Sequence, residues 1–157
     1  MPKQSAGLLI YRRRARNLEV FLVHPGGPFW NSKDEGAWSI PKGEFAEGED
    51  SLEAALRELK EETGQSVTGD FRPLDPIRQR SGKIVHAWMV ESDLNSDAIC
   101  SNTFSLEWPP KSGKFQDFPE IDRAAWFTIP VATDKILPAQ RGLLAQLQQL
   151  LAAPQNG

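Results

Sequence analysis

The order of the predicted elements indicates an α/β fold, in which helices cover both faces of a β-sheet. Short apolar runs typical of strands alternate along the chain with amphipathic segments typical of helices. Residues 84–90 form a nearly continuous apolar run, which predicts a central strand buried on both faces. The 157 residues suit one domain, 1–157, with its core at about residues 5–152.

The first elements are a predicted pair of strands, at residues 7–11 and 19–24. The arginine-rich stretch 12–17 between them is predicted to be a basic loop. A turn with two prolines and two glycines follows the second strand. Residues 37–40 are then predicted to form a short strand that leads into the first helix.

That helix is predicted between Asp50 and Gly64. Asp50 is a good N-cap, and Glu53 three residues later completes a capping-box pattern. Gly64 suits the left-handed position that ends a helix. The stripe predicted to face the core consists of Leu52, Ala55, Leu56, Leu59 and Thr63.

Strands are predicted in the second half at residues 66–71, 84–91 and 123–129. Residues 101–119 are predicted to form a long loop with one short strand, and such loops are often functional. A second amphipathic helix follows, with Pro138 suited to its first turn. Its apolar face consists of Leu143, Leu144, Leu147, Leu150 and Leu151.

Three acidic residues share one face of the first helix. Glu58, Glu61 and Glu62 stand at i, i+3 and i+4, so their carboxylates repel one another near the negative end of the helix dipole. A solvated face in which Arg57 pairs with Glu53 or Glu61 explains one or two ion pairs. A hard divalent cation, Mg²⁺ or alternatively Mn²⁺, explains all three acids, because these ions prefer oxygen ligands.

The stretch from Gly43 to Gly64 resembles the Nudix box, the signature of hydrolases acting on nucleoside diphosphates linked to another group. The box is Gly, five residues, Glu, seven residues, Arg-Glu, an apolar residue, any residue, Glu-Glu, any residue, Gly and a second apolar residue. The chain matches every position but the last, where Gln65 stands. The resemblance implies the family's α/β/α sandwich with a mixed β-sheet, and a Mg²⁺-dependent pyrophosphohydrolase.

The resemblance also implies a set of metal ligands. Glu58 and Glu62 are expected to bind the metal, and Glu61 is expected to be a ligand, the general base, or both. The backbone carbonyl of Lys42, just before the box glycine, is a further expected ligand. Gly43 and Gly64 are expected to be structural residues of the motif, and turn geometry alone would also explain Gly43.

Arg57 is expected to orient the carboxylates by ion pairing, with Glu49 as its partner or as an outer ligand. In some family members the catalytic base lies in a loop beyond the box. The candidates here are Glu120, Asp122 and Glu107, in that order. Glu120 also begins a Glu-x-x-x-x-x-Trp-Phe stretch that resembles one that often follows the sheet in this family.

The predicted partner is a small nucleotide substrate. Residues 38–43 resemble the Trp-x-x-Pro-Lys-Gly segment of family hydrolases of dinucleoside polyphosphates and diphosphoinositol phosphates, where Lys42 would meet a long phosphate chain. Trp30 and Trp108 lie in predicted loops and are candidates for stacking on a base. The basic surface at Lys42 has a candidate extension in Arg12, Arg13, Arg14 and Arg16.

Dinucleoside polyphosphates are the leading substrate, although two subfamily markers are absent. Tyr11, the only tyrosine, precedes the box, whereas diadenosine tetraphosphate hydrolases usually carry one after it. ADP-sugar hydrolases usually carry a proline where this chain reads Arg80-Ser81-Gly82. The alternatives are NTPs, ADP-sugars and diphosphoinositol phosphates, removal of a 5′ diphosphate from RNA, and a non-enzymatic nucleotide sensor.

Bulk composition narrows the class of partner. A formal net charge of −3 does not suggest binding to nucleic acid or to a membrane surface. The apolar runs are too short to span a membrane. The single cysteine, Cys100, suits a reducing cytoplasm and is expected to be a small buried hydrophobic residue. Residues 154–157 are expected to fray, and the oligomeric state is not indicated.

Overall fold

The computed structural model describes residues 3–152, so the prediction for residues 154–157 lies outside the described part. Its strands and helices follow one another along the chain. They are β1 Gln4–Arg14, β2 Asn17–Pro25, β3 Lys42–Glu44, α1 Ser51–Thr63, β4 Arg72–Pro73, β5 Ile77–Arg78, β6 Ile84–Glu91, β7 Thr103–Glu107, β8 Phe115–Pro119, β9 Ile121–Thr128, α2 Ile129–Lys135 and α3 Arg141–Ala152. A 3-10 turn, Pro138–Gln140, leads directly into α3.

The main sheet of the described residues is mixed, with the order β4-β6-β1-β2-β9. Strand β1 pairs parallel with β6 and antiparallel with β2. The short strand β3 pairs with the beginning of β1, and β5 pairs with β6. Strands β7 and β8 form a separate antiparallel hairpin.

Helices lie against both faces of this sheet because side chains alternate along β1. Leu8 and Ile10 belong to a cluster with Leu59 of α1 on one face. Leu9 belongs to a cluster on the other face, with residues of α2 and α3 such as Leu144. All four of these leucine and isoleucine side chains of β1 and α3 are at least 98% buried. The predicted α/β/α sandwich with a mixed sheet is confirmed.

Several predicted elements differ from the observed ones. Residues 37–40 form isolated bridges at Trp38 and Ser39, and residues 66–71 form no strand. Strand β6 is central, but only one of its faces is fully buried, since His86 and Trp88 on the other face are partly exposed. The seven-residue helix α2 was not predicted, because it is too short to show a helical period.

Residues 101–119 contain two strands where one was predicted. The β7–β8 hairpin pairs with itself and is largely exposed, so it lacks the strong apolar alternation of a core strand. Cys100, just before it, is exposed, contrary to the expected burial.

The predicted basic loop is also wrong, because Arg12 and the next two arginines continue β1. Arg12 binds Glu19 and Asp93 at 2.8 and 2.6 Å and lies over the Trp126 ring. These arginines lie at one end of β1, whereas Lys42 pairs with Gly7 near the other end. They therefore do not extend the basic surface around Lys42.

Candidate active site

Helix α1 is oriented by its two caps and its buried face. The Asp50 carboxylate accepts a hydrogen bond from the Glu53 amide at 2.9 Å, and Gly64 ends the helix with φ = 75°. Ala54, Ala55, Leu59 and Thr63 are buried against the sheet. Glu58 and Glu62 are consequently turned towards the segment that contains Lys42 and Gly43.

Gly43 allows a close approach of β3 to α1. A Cβ atom added at this position would lie 2.6 Å from Glu58 Oε1 and closer still to Cδ. Gly43 does not have a positive φ, so turn geometry does not require a glycine here. The close contact with Glu58 does. Gly7 opposite has the same function, because its Cβ would lie 2.7 Å from Lys42 Cβ.

We expect Gly43→Ala to lower kcat at least about tenfold, because the added methyl group displaces the Glu58 carboxylate by roughly the 1 Å that misplaces a catalytic group. Steady-state kinetics with thermal unfolding as a folding check measure this effect. Gly142→Ala is the matched control, since its Cβ would lie 3.9 Å from Ile77. It should leave kcat unchanged and stabilise α3 by about 0.5–1 kcal/mol. An active Gly43→Ala protein would show that Glu58 tolerates displacement.

Arg57 lies among the acidic side chains of the box. Its guanidinium binds Glu49, and it lies 3.4 Å from Glu58 Oε1 and 3.9 Å from Glu61 Oε1. It also approaches the Glu44 carbonyl at 3.4 Å. This arrangement suits a residue that orients carboxylates by ion pairing.

Burial and crowding disfavour charge on two of the three acids. Burial raises the pKa of Glu62 to about 8, although its Oε1 accepts a 3.1 Å hydrogen bond from the Lys42 amide. The pKa of Glu58 is also raised, first by burial and then by Glu61. A divalent cation beside these oxygens would reverse both shifts, so the donor chemistry fits Mg²⁺ or Mn²⁺.

Within residues 3–152, no three Asp, Glu, His or Cys side chains are grouped so that they could hold one metal ion. Glu62 turns to the Lys42 amide, while Glu58 and Glu61 turn towards Arg57. The ligand set of Glu58, Glu61, Glu62 and the Lys42 carbonyl therefore stays a prediction.

A ladder of backbone hydrogen bonds brings Glu120 to this helix. Asn102 N donates to the Glu61 carbonyl at 2.9 Å, and Glu120 N donates to the Asn102 carbonyl at 2.8 Å. Gly26 N then donates to the Glu120 carbonyl at 2.9 Å. A Cβ at Gly26 would overlap the Pro119 carbonyl, so this contact also requires glycine. Glu120 is thus fixed beside α1 from both sides.

Glu120, Glu62, Lys42 and Trp30 line one cavity of about 220 Å³. Glu120 is close enough to raise the pKa values of Glu58 and Glu62 further, as a smaller contribution. The structure therefore places the first candidate for the base next to the box carboxylates.

Three other predicted residues lie away from this cavity or are engaged elsewhere. Trp108 packs edge-on against Phe29, with ring centroids 5.4 Å apart, and does not line the cavity. Asp122 contacts His24 at 2.8 Å, and Glu107 accepts a hydrogen bond from the Lys111 amide within its hairpin. Neither acid faces the box.

Lys42 carries a largely buried ammonium group at the cavity. Its pKa is lowered, first by burial and then by Lys83, with Glu62 acting in the opposite direction. Lys83 was not predicted at the site; it binds Glu44 at 3.1 Å. Lys83 lies immediately before β6, which pairs in parallel with β1, and this position was the signal in the sequence that could have placed it near Lys42. An anion in the cavity would favour the charged form of Lys42.

Gln65, the one departure from the box, has a structural role of its own. Its side-chain amide donates to the Asn95 carbonyl at 2.7 Å and accepts from the Asn95 amide at 3.1 Å. Two hydrogen bonds thus replace the apolar contact expected at this position.

A family model for the NUDIX domain matches residues 1–147. The chain belongs to the Nudix family. It is 30% identical over 103 residues to a bis(5′-nucleosyl)-tetraphosphatase [asymmetrical] of Mus musculus, an alignment that covers 58% of this chain and 66% of that protein. It is 56% identical over 65 residues to an RNA pyrophosphohydrolase of Erythrobacter litoralis, covering 41% and 35% of the two chains.

The chain therefore spans no more than about two thirds of the length of these two relatives. Among solved structures, a C. elegans Ap4A hydrolase binary complex superposes with a TM-score of 0.65 at 26% identity, covering 96% of this Nudix chain and 98% of that one. In residues 3–152, no helix is long and apolar enough to cross a membrane.

Proposed function

We propose that this Nudix protein is a metal-dependent pyrophosphohydrolase that cleaves a diphosphate linkage in a nucleotide, with dinucleoside polyphosphates as the preferred class. The observation that carries the proposal is the shared cavity of Glu62, Glu120, Lys42 and Trp30. The carboxylates suit a metal ion, the ammonium group suits the phosphate chain, and the aromatic ring suits a nucleobase.

Bound Mg²⁺ would neutralise phosphoryl oxygens and lower the pKa of a bound water. Glu58 and Glu62, with Glu61 and the Lys42 carbonyl, would hold the ion, and Arg57 would orient their carboxylates. Either Glu120 or Glu61 would accept the proton of the attacking water. The proximity of Glu120 to Glu62 in the cavity supports Glu120.

Trp30 supplies the aromatic surface of the cavity. It is 37% exposed, with the Lys33 ammonium 5.0 Å from its ring centroid on one side. We propose that a nucleobase stacks on this ring. Trp108, which was predicted for the same function, packs against Phe29 outside the cavity and would contribute indirectly, through that contact.

The experiment is a panel of diadenosine tetraphosphate, ADP-ribose, NTPs and 5′-triphosphorylated RNA with Mg²⁺ or Mn²⁺, read by chromatography of the phosphate products. Absence of hydrolysis across this panel would contradict the proposal. RNA is the second candidate because of the similarity to an RNA pyrophosphohydrolase, although the net charge of −3 disfavours a polyanion. A cytoplasmic location stays a prediction from the sequence.

We expect diadenosine tetraphosphate to be cleaved with a higher kcat/KM than ADP-ribose, because Lys42 gains from each added phosphate charge. Lys42→Met removes the charge but keeps most of the apolar stem. It should lower the ratio of the two kcat/KM values about tenfold, which is the scale of one charge-assisted hydrogen bond. The kcat/KM values of both substrates measure the change.

Lys60→Met is the matched control, because Lys60 is an exposed lysine on the same helix as the carboxylates. It should leave the ratio of the two kcat/KM values unaltered. A wild-type preference for ADP-ribose would transfer the protein to the ADP-sugar hydrolases, and an equal effect of both lysines would indicate general electrostatics.

A further inference from the structure

His24 is a fully buried polar residue near the end of β2. Its ring contacts polar groups on both sides. Nδ1 lies 2.8 Å from Asp122 Oδ1, and Nε2 lies 2.6 Å from the carbonyl oxygen of Lys33. The Trp38 ring packs edge-on against the imidazole, with centroids 5.1 Å apart.

Both short contacts of the ring are made to hydrogen-bond acceptors. A carboxylate and a carbonyl only accept, so a hydrogen bond at each contact requires a hydrogen on the facing ring nitrogen. The Arg123 guanidinium also approaches Nε2, at 3.3 Å, but the carbonyl of Lys33 is closer. Arg123 is 3.8 Å from Asp122 and lies over the Trp38 ring.

These two contacts join two of the segments that line the cavity. Lys33 belongs to the loop 26–36, and its amide donates to the Trp30 carbonyl at 3.0 Å. Asp122 lies two residues after Glu120. The loop begins with the Gly26 amide bound to the Glu120 carbonyl, so it is tied to the Glu120 segment at both ends. At the far end, the connection to the Glu120 segment is the side chain of His24, while Asp34 and Gly36 bind groups outside that segment.

We propose that His24 is a positioning residue, whose contact with Lys33 holds the Trp30 loop while Asp122 orients the ring, so that Trp30 and Glu120 line one cavity. The inference rests on the proposed function for the roles of Trp30 and Glu120. We expect His24 to affect substrate binding more than the chemical step, because its contact with Lys33 is made to the loop that contains Trp30. Glu120 itself keeps its two backbone hydrogen bonds without His24.

Two substitutions separate the two ends of the bridge. His24→Asn places an amide nitrogen near the position of Nδ1 and loses the bond to Lys33, whereas His24→Gln places one near Nε2 and keeps it. We expect His24→Asn to raise KM roughly fivefold or more, the low end of a base–aromatic contact, with a smaller change in kcat. His24→Gln should stay within about twofold of the wild-type KM.

Hydrogen exchange of the loop peptides provides a measurement that does not depend on activity. Residues 26–36 should exchange faster in His24→Asn than in wild type or in His24→Gln. In addition, Trp30→Ala should raise KM less in the His24→Asn background than in wild type, because the loop is already released. The proposal would be overturned if the effects of Trp30→Ala and His24→Asn on KM were additive. It would also be overturned if both His24 variants had equal effects on KM and on hydrogen exchange.

The wild-type protein supplies a further test if His24→Asn does not fold. ¹⁵N NMR of the histidine ring should show a slowly exchanging hydrogen on Nε2 of His24. An unprotonated Nε2 would overturn the bridge. If the exchange and NMR results agree with the bridge but no substrate is hydrolysed, the proposed function fails and the positioning of the loop stands.

Discussion

Glu62→Gln is expected to lower kcat roughly 100-fold or more, the scale on which loss of one group that stabilises a transition state reduces turnover. The amide keeps the shape and the hydrogen bond from the Lys42 amide, but it removes the charge that would hold a cation. Folding should not suffer, because burial raises the pKa of Glu62 to about 8 and the neutral amide resembles the protonated acid.

The measurement is steady-state kinetics on the best substrate of the panel, together with thermal unfolding in a chelator. Glu53→Gln is the matched control, since it removes the same charge from an exposed position in the first turn of α1. It should keep near wild-type kcat. If Glu62→Gln also did so, Glu62 would not belong to the catalytic centre.

The second large effect is a loss of stability with rising pH in the metal-free protein. The pKa of Glu62 is raised from 4.5 to about 8 in the folded state, and that of Glu58 is raised as well. Between these values the folded state holds protons that the unfolded chain releases, so the free energy of unfolding decreases as pH rises. Because one pKa unit corresponds to about 1.4 kcal/mol, the loss between pH 5 and pH 8 amounts to several kcal/mol.

The two carboxylates whose pKa values are lowered change the free energy of unfolding in the opposite direction, but only below the range from pH 5 to pH 8. The pKa values of Asp34 and Glu44 are lowered, so their contribution is lost only as pH falls through those lowered values. Lys42 has a lowered pKa, so it adds stability as pH rises through that lowered value towards 10.5, and ending the series at pH 8 limits this contribution.

Urea unfolding in a chelator across this range measures the slope, and Glu62→Gln should flatten it. Mg²⁺ should then stabilise the wild-type protein more at pH 8 than at pH 6, because the cation competes with the proton for the same carboxylates. Equal stabilisation by Mg²⁺ at both pH values would show that Glu62 is not a ligand, and an unchanged slope in the variant would show that Glu62 does not cause the loss of stability.

Helix α1 shows how far local sequence reasoning reaches. Asp50, the apolar stripe and Gly64 predict its beginning, its buried face and its end, and all three predictions are confirmed. Each depends on contacts within a few residues along the chain, which a single sequence displays directly. The strands β1, β2 and β9 were also found from their apolar runs, although with shifted ends, and β6 was found with the predicted bounds.

The rest of the cavity depends on contacts between distant residues. Glu120 was ranked among three acids, and it lies beside the box because of backbone hydrogen bonds through Asn102 and Gly26. Backbone amides and carbonyls are the same in every residue, so such a ladder leaves no trace in the pattern of side chains. For the same reason the sequence did not show that the arginine-rich end of β1 lies away from Lys42.

By itself, the sequence determined the box helix and its acidic face, because periodicity, capping and charge spacing are local properties of the chain, and the sandwich followed from the resemblance of the box to a known family. Only the tertiary structure decided which distant groups join that face. It brought in Glu120, Trp30 and the bridge at His24, and it left Trp108, Asp122 and Glu107 outside. Strand register and backbone pairing across the sheet made that selection, and these depend on how the whole chain packs.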